Sequence, residues 1–345
     1  MIMKFDVVVG NPPYQELNVG ENNQAVPMYH RFYELAEKCS DKYILITPAR
    51  FLANQGATPK AWNKKMLSDK HLSIKYFNSK SDEVFPNTEI KGGVVVLLRD
   101  KNKNFGEIDT FIAFEQLRNI YNKIRQKSSS YLSEIVFSPD SYRFSNNLFS
   151  ENPDLTGRTD DSHAKAVSSS VFKRYPEIFF KEKPISQEEY VRIYGRLDGE
   201  RVYFWTKRNY LSEHLNLDKW KVFIAGANGT GSFGETLSLP VVGEPFVGHN
   251  QTFVSIGKFD SEFEANSLLK YIKTKFARAL LGIMKTTQNN QSKNTWSKIP
   301  LQDFTNKSDI DWSLSISDID LQLYKKYELN TDEVCFIEKT VKTME

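Results

Sequence analysis

Apolar residues in the first hundred positions fall into short β-branched runs, each ended by glycine, proline or a charge. Phe5-Asp6-Val7-Val8-Val9 reads as a buried strand that stops at Gly10. Asp41 to Pro48 reads as a second buried strand, Ile74 to Phe77 as a short third and Gly93 to Arg99 as a fourth. Between them the spacing becomes helical. Tyr29 to Cys39 sets Phe32, Tyr33, Leu35 and Ala36 roughly on one side, and Ala61 to Leu72 predicts a second helix. The order is strand–helix–strand–helix–strand–strand, closed by a charged, Asn-rich break at Asp100 to Asn104.

Beyond that break the pattern changes. Asp109 to Lys127 predicts a helix, and Ser138 to Ser170, with its serine, asparagine and aspartate clusters, reads as loop and linker. Tyr190 to Arg196 and Arg201 to Arg208 alternate aromatic or aliphatic residues with arginine and lysine. Such interleaving suits a surface that meets phosphates and bases, although a half-buried hairpin with solvated cations explains any single residue more simply. Trp220 to Ile224 leads into a glycine-rich run, Gly226 to Gly234, and further strands are expected around Pro240 to Val242 and Thr252 to Ile256. Phe259 to Ile283 predicts one long helix, with Ser261 as N-cap and Glu264 completing a capping box. Asp311 to Val341 predicts one or two amphipathic helices forming a structural tail.

Composition narrows the class. The 345 residues allow two domains and an ample core. The net charge of +3 is uneven, because nine acids face four bases from Asp309 onward and the rest is mildly basic. That suits a nucleic-acid partner without demanding one. Cys39 and Cys335 are far apart, which fits a reduced, cytoplasmic protein. The histidines at 30, 71, 163, 214 and 249 form no zinc spacing, so no metal is expected. No signal peptide opens the chain and no apolar run approaches a membrane span.

The candidate chemistry sits at the end of the first strand, in Asn11-Pro12-Pro13-Tyr14. Two prolines fix φ, and each holds the residue before it in extended geometry, so Asn11 and Tyr14 stand on a stiff loop. Open α/β sheets place ligands at the carboxyl ends of their strands. The Asn11 amide oxygen and the backbone carbonyls of this loop are acceptors for an exocyclic amine, and Tyr14 offers a face on which a base can stack. An ordinary Pro-Pro turn is the plainer alternative.

The stretch resembles the catalytic motif of amino-group DNA methyltransferases, most closely the gamma-class adenine-N6 enzymes of restriction-modification systems. The resemblance implies an α/β fold: part of a doubly wound, Rossmann-like methyltransferase sheet over residues 1–104, then a mixed α+β target-recognition domain over 105–308 and a helical tail over 309–345. It implies methyl transfer from S-adenosylmethionine to adenine N6 in double-stranded DNA. Asn11, Pro12, Pro13 and Tyr14 would be catalytic. Phe85, in Val84-Phe85-Pro86, would stack on the base opposite Tyr14. Arg192, Arg196, Arg201, Lys207 and Arg208 would meet DNA. The segment around Tyr271 to Phe276 and the Trp296-Ser297-Lys298-Ile299-Pro300 ending resemble the same enzymes more loosely.

One departure matters. Gamma-class enzymes carry a strand, a glycine-rich turn and a ribose-binding acid ahead of the catalytic strand, and here four residues precede Phe5. The expectation is a split or truncated chain whose first strand leaves an edge exposed. An upstream methyltransferase half or partner chain would complete its cofactor site, and a nuclease subunit is a further partner. The alternative from another class is a non-catalytic DNA-binding or specificity subunit, or an inactive remnant. Two minor readings concern other segments. A permuted cofactor turn at Gly226, Gly229 and Gly231 would use Glu244 for the ribose, and a nuclease-like set would use Asp82 with Glu89-Ile90-Lys91.

Overall fold

The computed structural model describes residues 4–16, 26–53, 57–78, 80–88, 90, 92–108, 110–158, 165–229, 231–285 and 288–344. Glu89 and Lys91 of the nuclease-like set, His163, Asp109, Asp160, Asp161, Thr230 and Thr286 lie outside them. The chain divides into two units, Met1–Ala113 and Phe114–Glu345. It is a mixed α/β protein with several sheets.

In the first unit the elements run β1 (Val8–Gly10), α1 (Tyr29–Cys39), β2 (Lys42–Pro48), α2 (Lys60–Ser68), β3 (Leu72–Asn78) and β4 (Val94–Asp100). The sheet order is β1-β2-β4-β3. β1 runs parallel to β2, with Gly10 opposite Leu45, and β4 is antiparallel to both β2 and β3. Alternation along the strands sorts the side chains. Tyr43, Leu45, Val95 and Leu97 share a core with Tyr29, Tyr33 and Ala36 of α1 and with Trp62, Met66 and Leu67 of α2. Burying such a set is the main force holding the unit together.

The first strand departs from its predicted burial. Ladder pairing begins at Val8, and among the described residues β1 pairs only with β2. Phe5, Val7 and Val9 are 51%, 44% and 70% exposed. Val7 and Val9 share one face of the strand, which the described residues leave open, while Val8 on the other face packs against the core.

The second unit runs α3 (Glu115–Lys127), β5 (Val136–Phe137), α4 (Asn146–Glu151), α5 (Val171–Arg174), β6 (Tyr190–Leu197), β7 (Glu200–Lys207), β8 (Trp220–Ala225), β9 (Val241–Gly243), β10 (Val247–His249) and β11 (Phe253–Phe259). It ends in α6 (Glu262–Lys273), α7 (Lys275–Met284), α8 (Ile316–Lys326) and α9 (Thr331–Thr340). Two sheets form, ordered β10-β6-β7 and β5-β11-β8-β9. β6 and β7 make a hairpin whose two-residue turn, Asp198-Gly199, has φ of +52° and +89°. Both values are positive, as the twist-matching type I′ turn requires.

Residues 138–170 are not a linker. Tyr142, Phe144, Leu148, Leu155 and Val167 are each 1% exposed or less and pack with Val191, Ile193 and Phe204 of the hairpin. Their apolar side chains are spaced without a period among polar ones, so no pattern announced the burial. The long helix predicted over 259–283 is two helices. The capping box at Ser261 and Glu264 is present, but Thr274 breaks the run with ψ at 149° and caps α7 by accepting the Ala277 N–H. A carboxylate from the tail completes the break, because Asp320 of α8 accepts the N–H groups of Lys275 (2.9 Å) and Phe276 (2.8 Å). Burial lifts the Asp320 pKa to about 6 against those two donors. Replacing Asp320 with alanine strands two buried donors at a helix start, and a loss of about 1–2 kcal/mol is expected in chemical denaturation. A midpoint equal to wild type would refute that account of the break.

Candidate active site and nucleic-acid surface

Asn11 to Tyr14 leave the sheet at the carboxyl end of β1, where β1 and β2 run side by side in the same direction. Asn11 and Pro13 are exposed, Pro12 is buried and Tyr14 is half-buried. The loop is pinned just beyond the motif. Met28 N donates to the Tyr14 carbonyl at 3.1 Å, and Glu16 N donates to the Val26 carbonyl at 2.9 Å. Gln15 bridges Pro27, and Arg31 pairs with Glu16 at 3.1 Å. The start of α1 therefore fixes the far side of the loop while proline stiffens the near side.

The Tyr14 hydroxyl is buried beside the Asn11 amide but forms no well-shaped hydrogen bond. Burial raises its pKa, with the Asn11 amide opposing. Phe85 stands on the β3–β4 connection, half-buried. Ser81 organises that loop. Its hydroxyl donates to the Thr88 carbonyl at 2.8 Å and accepts the Ile90 N–H at 2.6 Å, while Phe85 N reaches the Ser81 carbonyl at 2.7 Å. Among the described residues no ring contact joins Tyr14 to Phe85.

Several residues that sequence reasoning passed over gather near this corner. Thr47, near the end of β2, hydrogen-bonds the Tyr33 hydroxyl at 2.9 Å. Arg50 follows, its stem lying where a Cβ on Gly92 would come within 2.5 Å of Cγ, so the positive φ and bare Cα of Gly92 make room for it. Tyr29, His30, Arg50 and Trp62 each carry a buried polar atom without a well-formed hydrogen bond. The Tyr29 hydroxyl lies beside Thr58 and Arg50, and burial pushes its pKa up to about 12. Trp62 touches Tyr29 and His30 with ring centroids at 6.2 and 5.8 Å. Buried polar groups are ordinarily paired, and here four without a well-formed partner lie close together. Their signal in the sequence was faint, because each of these residues also reads as helix or core.

In the second unit the hairpin sorts its residues by face. Val191, Ile193 and Phe204 point into the core. Tyr190, Arg192, Tyr194 and Arg196 alternate with them and lie opposite Lys207, Trp205, Tyr203 and Arg201. Tyr194 stacks on Tyr203 at 4.8 Å, and the Arg192 guanidinium lies 5.4 Å from the Tyr203 ring and 5.5 Å from Trp205. Most of the cations on this face are engaged within the fold. Arg192 pairs with Glu244 at 2.5 Å, Lys207 with Glu151 and Glu188 at 3.1 and 3.3 Å, and Arg208 with Glu213 at 2.7 Å. Arg201 donates to the carbonyls of Leu239 (2.6 Å) and Ser238 (2.8 Å). Arg196 is exposed and has no carboxylate partner among the described residues.

The glycine-rich run does not fit the sulfonium nucleoside of the permuted reading. Among the described residues the next element after it is a strand, β9, and not a helix. The run's amides turn to the chain's own Glu235: Gly231 N reaches that carboxylate at 3.2 Å, and a Cβ on Gly229 would meet it at 2.1 Å. Lys285 pairs with the same carboxylate and donates to the Asn228 carbonyl at 3.2 Å. Glu244, the ribose acid of that reading, is held by Arg192. Among the described residues no cluster of three His, Cys, Asp or Glu side chains could hold a metal, and no helix is long and apolar enough to cross a membrane.

Comparison with known proteins agrees with the first unit. Residues 1–85 match the family model of the Eco57I restriction-modification methylase. An uncharacterized adenine-specific methylase of Mycoplasma pneumoniae is 35% identical over 107 residues, which are 29% of this chain and 25% of that protein. The type IIG restriction endonuclease BpuSI aligns in structure at a TM-score of 0.34 and 14% identity, over 94% of this chain and 49% of its own. The chain thus spans about a quarter of the curated relative and about half of the solved one. The two sequence matches support a restriction-modification adenine methylase family.

Proposed function

We propose that this chain presents the acceptor side of an adenine-N6 DNA methyltransferase. One observation carries the reading: a proline-stiffened Asn-Pro-Pro-Tyr loop at the carboxyl end of a parallel strand pair, with Asn11 exposed and Tyr14 half-buried beside it. The order β1-α1-β2-α2-β3-β4, a parallel pair followed by a reversed hairpin, supports reading the unit as part of a doubly wound, Rossmann-like sheet.

A target adenine is extruded from the duplex into this corner. The Asn11 amide oxygen and the Pro12 carbonyl accept hydrogen bonds from N6, which keeps electron density on nitrogen and sets its direction. Tyr14 and Phe85 hold the ring between them. S-adenosylmethionine, the donor the family implies, supplies a methyl on a sulfonium that is already a good leaving group. We assign no residues to hold it, and the grip on the amine is what these residues contribute. The contribution is one of alignment, the term worth most when two groups must meet in one geometry. A DNA-binding chain without turnover is the second reading, favoured by the glycine-rich run, which turns inward to the chain's own Glu235.

The test supplies the chain with methyl-labelled S-adenosylmethionine and duplex DNA, alone and with any adjoining methylase segment. Label recovered as N6-methyladenine is expected. Label on cytosine, or no transfer in either arrangement, overturns the proposal.

A further inference from the structure

We infer that a cleft at the turn end of the β6–β7 hairpin, built on Arg196, Gln251 and Gln291, grips duplex DNA, with Arg196 on a phosphate and the glutamine amides on base edges. This rests on the reading of DNA as substrate, and it narrows the five cations expected to meet DNA to Arg196 and adds two glutamines beside it.

Charge singles out Arg196. In the hairpin register it lies directly opposite Arg201, whose guanidinium is satisfied by backbone carbonyls and lies 5.7 Å from the Phe253 ring, with no acid paired to it among the described residues. Like charges placed opposite one another on a strand pair repel. Arg192, Lys207 and Arg208 on the same hairpin each have a carboxylate, and Arg196 has none among the described residues. Arg196 can therefore take an outside anion without giving up a carboxylate, although Asp140 and Asp198 stand nearby.

The surroundings form a cleft of about 550 Å³ whose lining includes Ser169, Arg196, Ala225, Gln251, Thr252 and Gln291. Its acid, Asp140, already accepts a hydrogen bond from the Gln251 amide nitrogen, which leaves that amide's oxygen for another donor. An adjoining cleft of about 320 Å³ shares Arg196, and its Asp198 is paired with Lys173 at 2.5 Å.

The rim is set in advance by two fully buried asparagines. Asn250 donates to the Ser169 carbonyl at 3.3 Å and accepts the Thr252 N–H at 3.1 Å. Asn290 donates to the Ala225 carbonyl at 3.2 Å, and its own N–H reaches the Gly226 carbonyl at 2.9 Å. Gln291 is lodged against Gly226, where a Cβ would come within 2.7 Å of its Nε2. A site whose loops are fixed before the ligand arrives loses little on ordering. Guanidinium beside amides and hydroxyls is a donor and acceptor set that meets phosphates and adenine edges.

The experiment is equilibrium binding of the full chain to fluorescent duplex DNA across a salt series, for wild type, Arg196→Ala, Arg196→Gln and Gln291→Ala, each checked for an unchanged melting curve. Either Arg196 variant is expected to bind about tenfold more weakly and to flatten the log–log salt slope by about 0.9. Gln291→Ala is expected to keep the slope and to narrow the spread of affinities over a randomised duplex pool by about tenfold. If wild type binds and all three variants match it in affinity, slope and spread, the cleft assignment falls and the DNA reading stands. If wild type binds no duplex at low salt, both fall.

Discussion

Asn11→Ala is expected to lower the single-turnover rate of methyl transfer to adenine by about 10²–10³-fold while leaving the melting temperature nearly unchanged. The two halves of that result have separate causes. Asn11 is exposed at the end of β1, beside the Tyr14 hydroxyl, so truncation strands little within the fold. Exposed positions of that kind ordinarily change stability by no more than about 0.5 kcal/mol. The rate loss comes from removing a fixed polar group aimed at the atom whose charge changes during reaction, for which a single deletion costs about 10²–10³. Asn11→Asp keeps an acceptor oxygen and loses the amide N–H₂, so it should fall between alanine and wild type. Rapid-quench measurement with methyl-labelled donor separates the cases. An Asn11→Ala rate equal to wild type would show that the amine is held elsewhere.

The motif was legible because proline writes backbone geometry directly into sequence. Asn11 to Tyr14 had to leave the strand where they do, whatever the rest of the chain does. The first unit was legible almost element by element for a similar reason. Its strands are short β-branched runs and α1 has a clean helical period, so the predicted Tyr29 to Cys39 is the helix observed. What could not be read was anything decided by a partner distant in sequence. The break at Thr274 depends on Asp320 arriving from another helix. The burial of Tyr142 and Phe144 depends on a hairpin some fifty residues on, against which polar-looking sequence folds down.

Charge taught the same lesson within the candidate surface. Five cations on one hairpin read alike in sequence, since alternation gives a face and says nothing about neutralisation. The structure separates them by their acids, and each acid comes from outside the hairpin or from its flank: Glu244 for Arg192, Glu151 and Glu188 for Lys207, Glu213 for Arg208. An ion pair with an exposed carboxylate contributes about 0–1 kcal/mol and can be exchanged for a phosphate, so the paired cations are not barred from DNA. They must give up a partner to reach it, and Arg196 need not.

Acid acts on the second unit through several buried groups, and His249 is expected to be its main destabilising contributor between pH 6.5 and 4.5. Its side chain is fully buried. Nδ1 lies 2.9 Å from the Asn250 carbonyl and so carries the proton, while Nε2 faces the Ser255 hydroxyl at 3.2 Å. Asn216 ties the same seam together. Its amide nitrogen donates to Ser255 at 3.1 Å, and its oxygen accepts from the Tyr142 hydroxyl at 2.6 Å, with His214 Nδ1 at 2.8 Å. The Lys221 ammonium, held by four backbone carbonyls, stands at the Asn216 carbonyl at 2.8 Å. Burial makes a second proton on His249 costly and holds its pKa down at about 3, with the Asn250 carbonyl opposing and the Lys221 ammonium adding to the cost. An unfolded histidine titrates near 6.5, so below that pH the unfolded chain binds a proton that the native chain refuses. Stability from this group is therefore whole above pH 6.5 and is lost progressively as the pH falls toward 3. At about 1.36 kcal/mol per pH unit, the loss reaches about 2.7 kcal/mol by pH 4.5. His214, also pulled down by burial, adds to it with the same sign. Asp320 works in the other direction, because its raised pKa lets the native state take up a proton first between about 6 and the ordinary carboxylate range. The measurement must therefore compare urea midpoints of wild type and His249→Gln from pH 7.5 to 4.5, since the difference isolates one histidine. Glutamine can keep both hydrogen bonds and cannot titrate, so the variant's fall should be shallower by nearly one proton. Parallel curves would move the acid sensitivity to another group and leave His249 as packing alone.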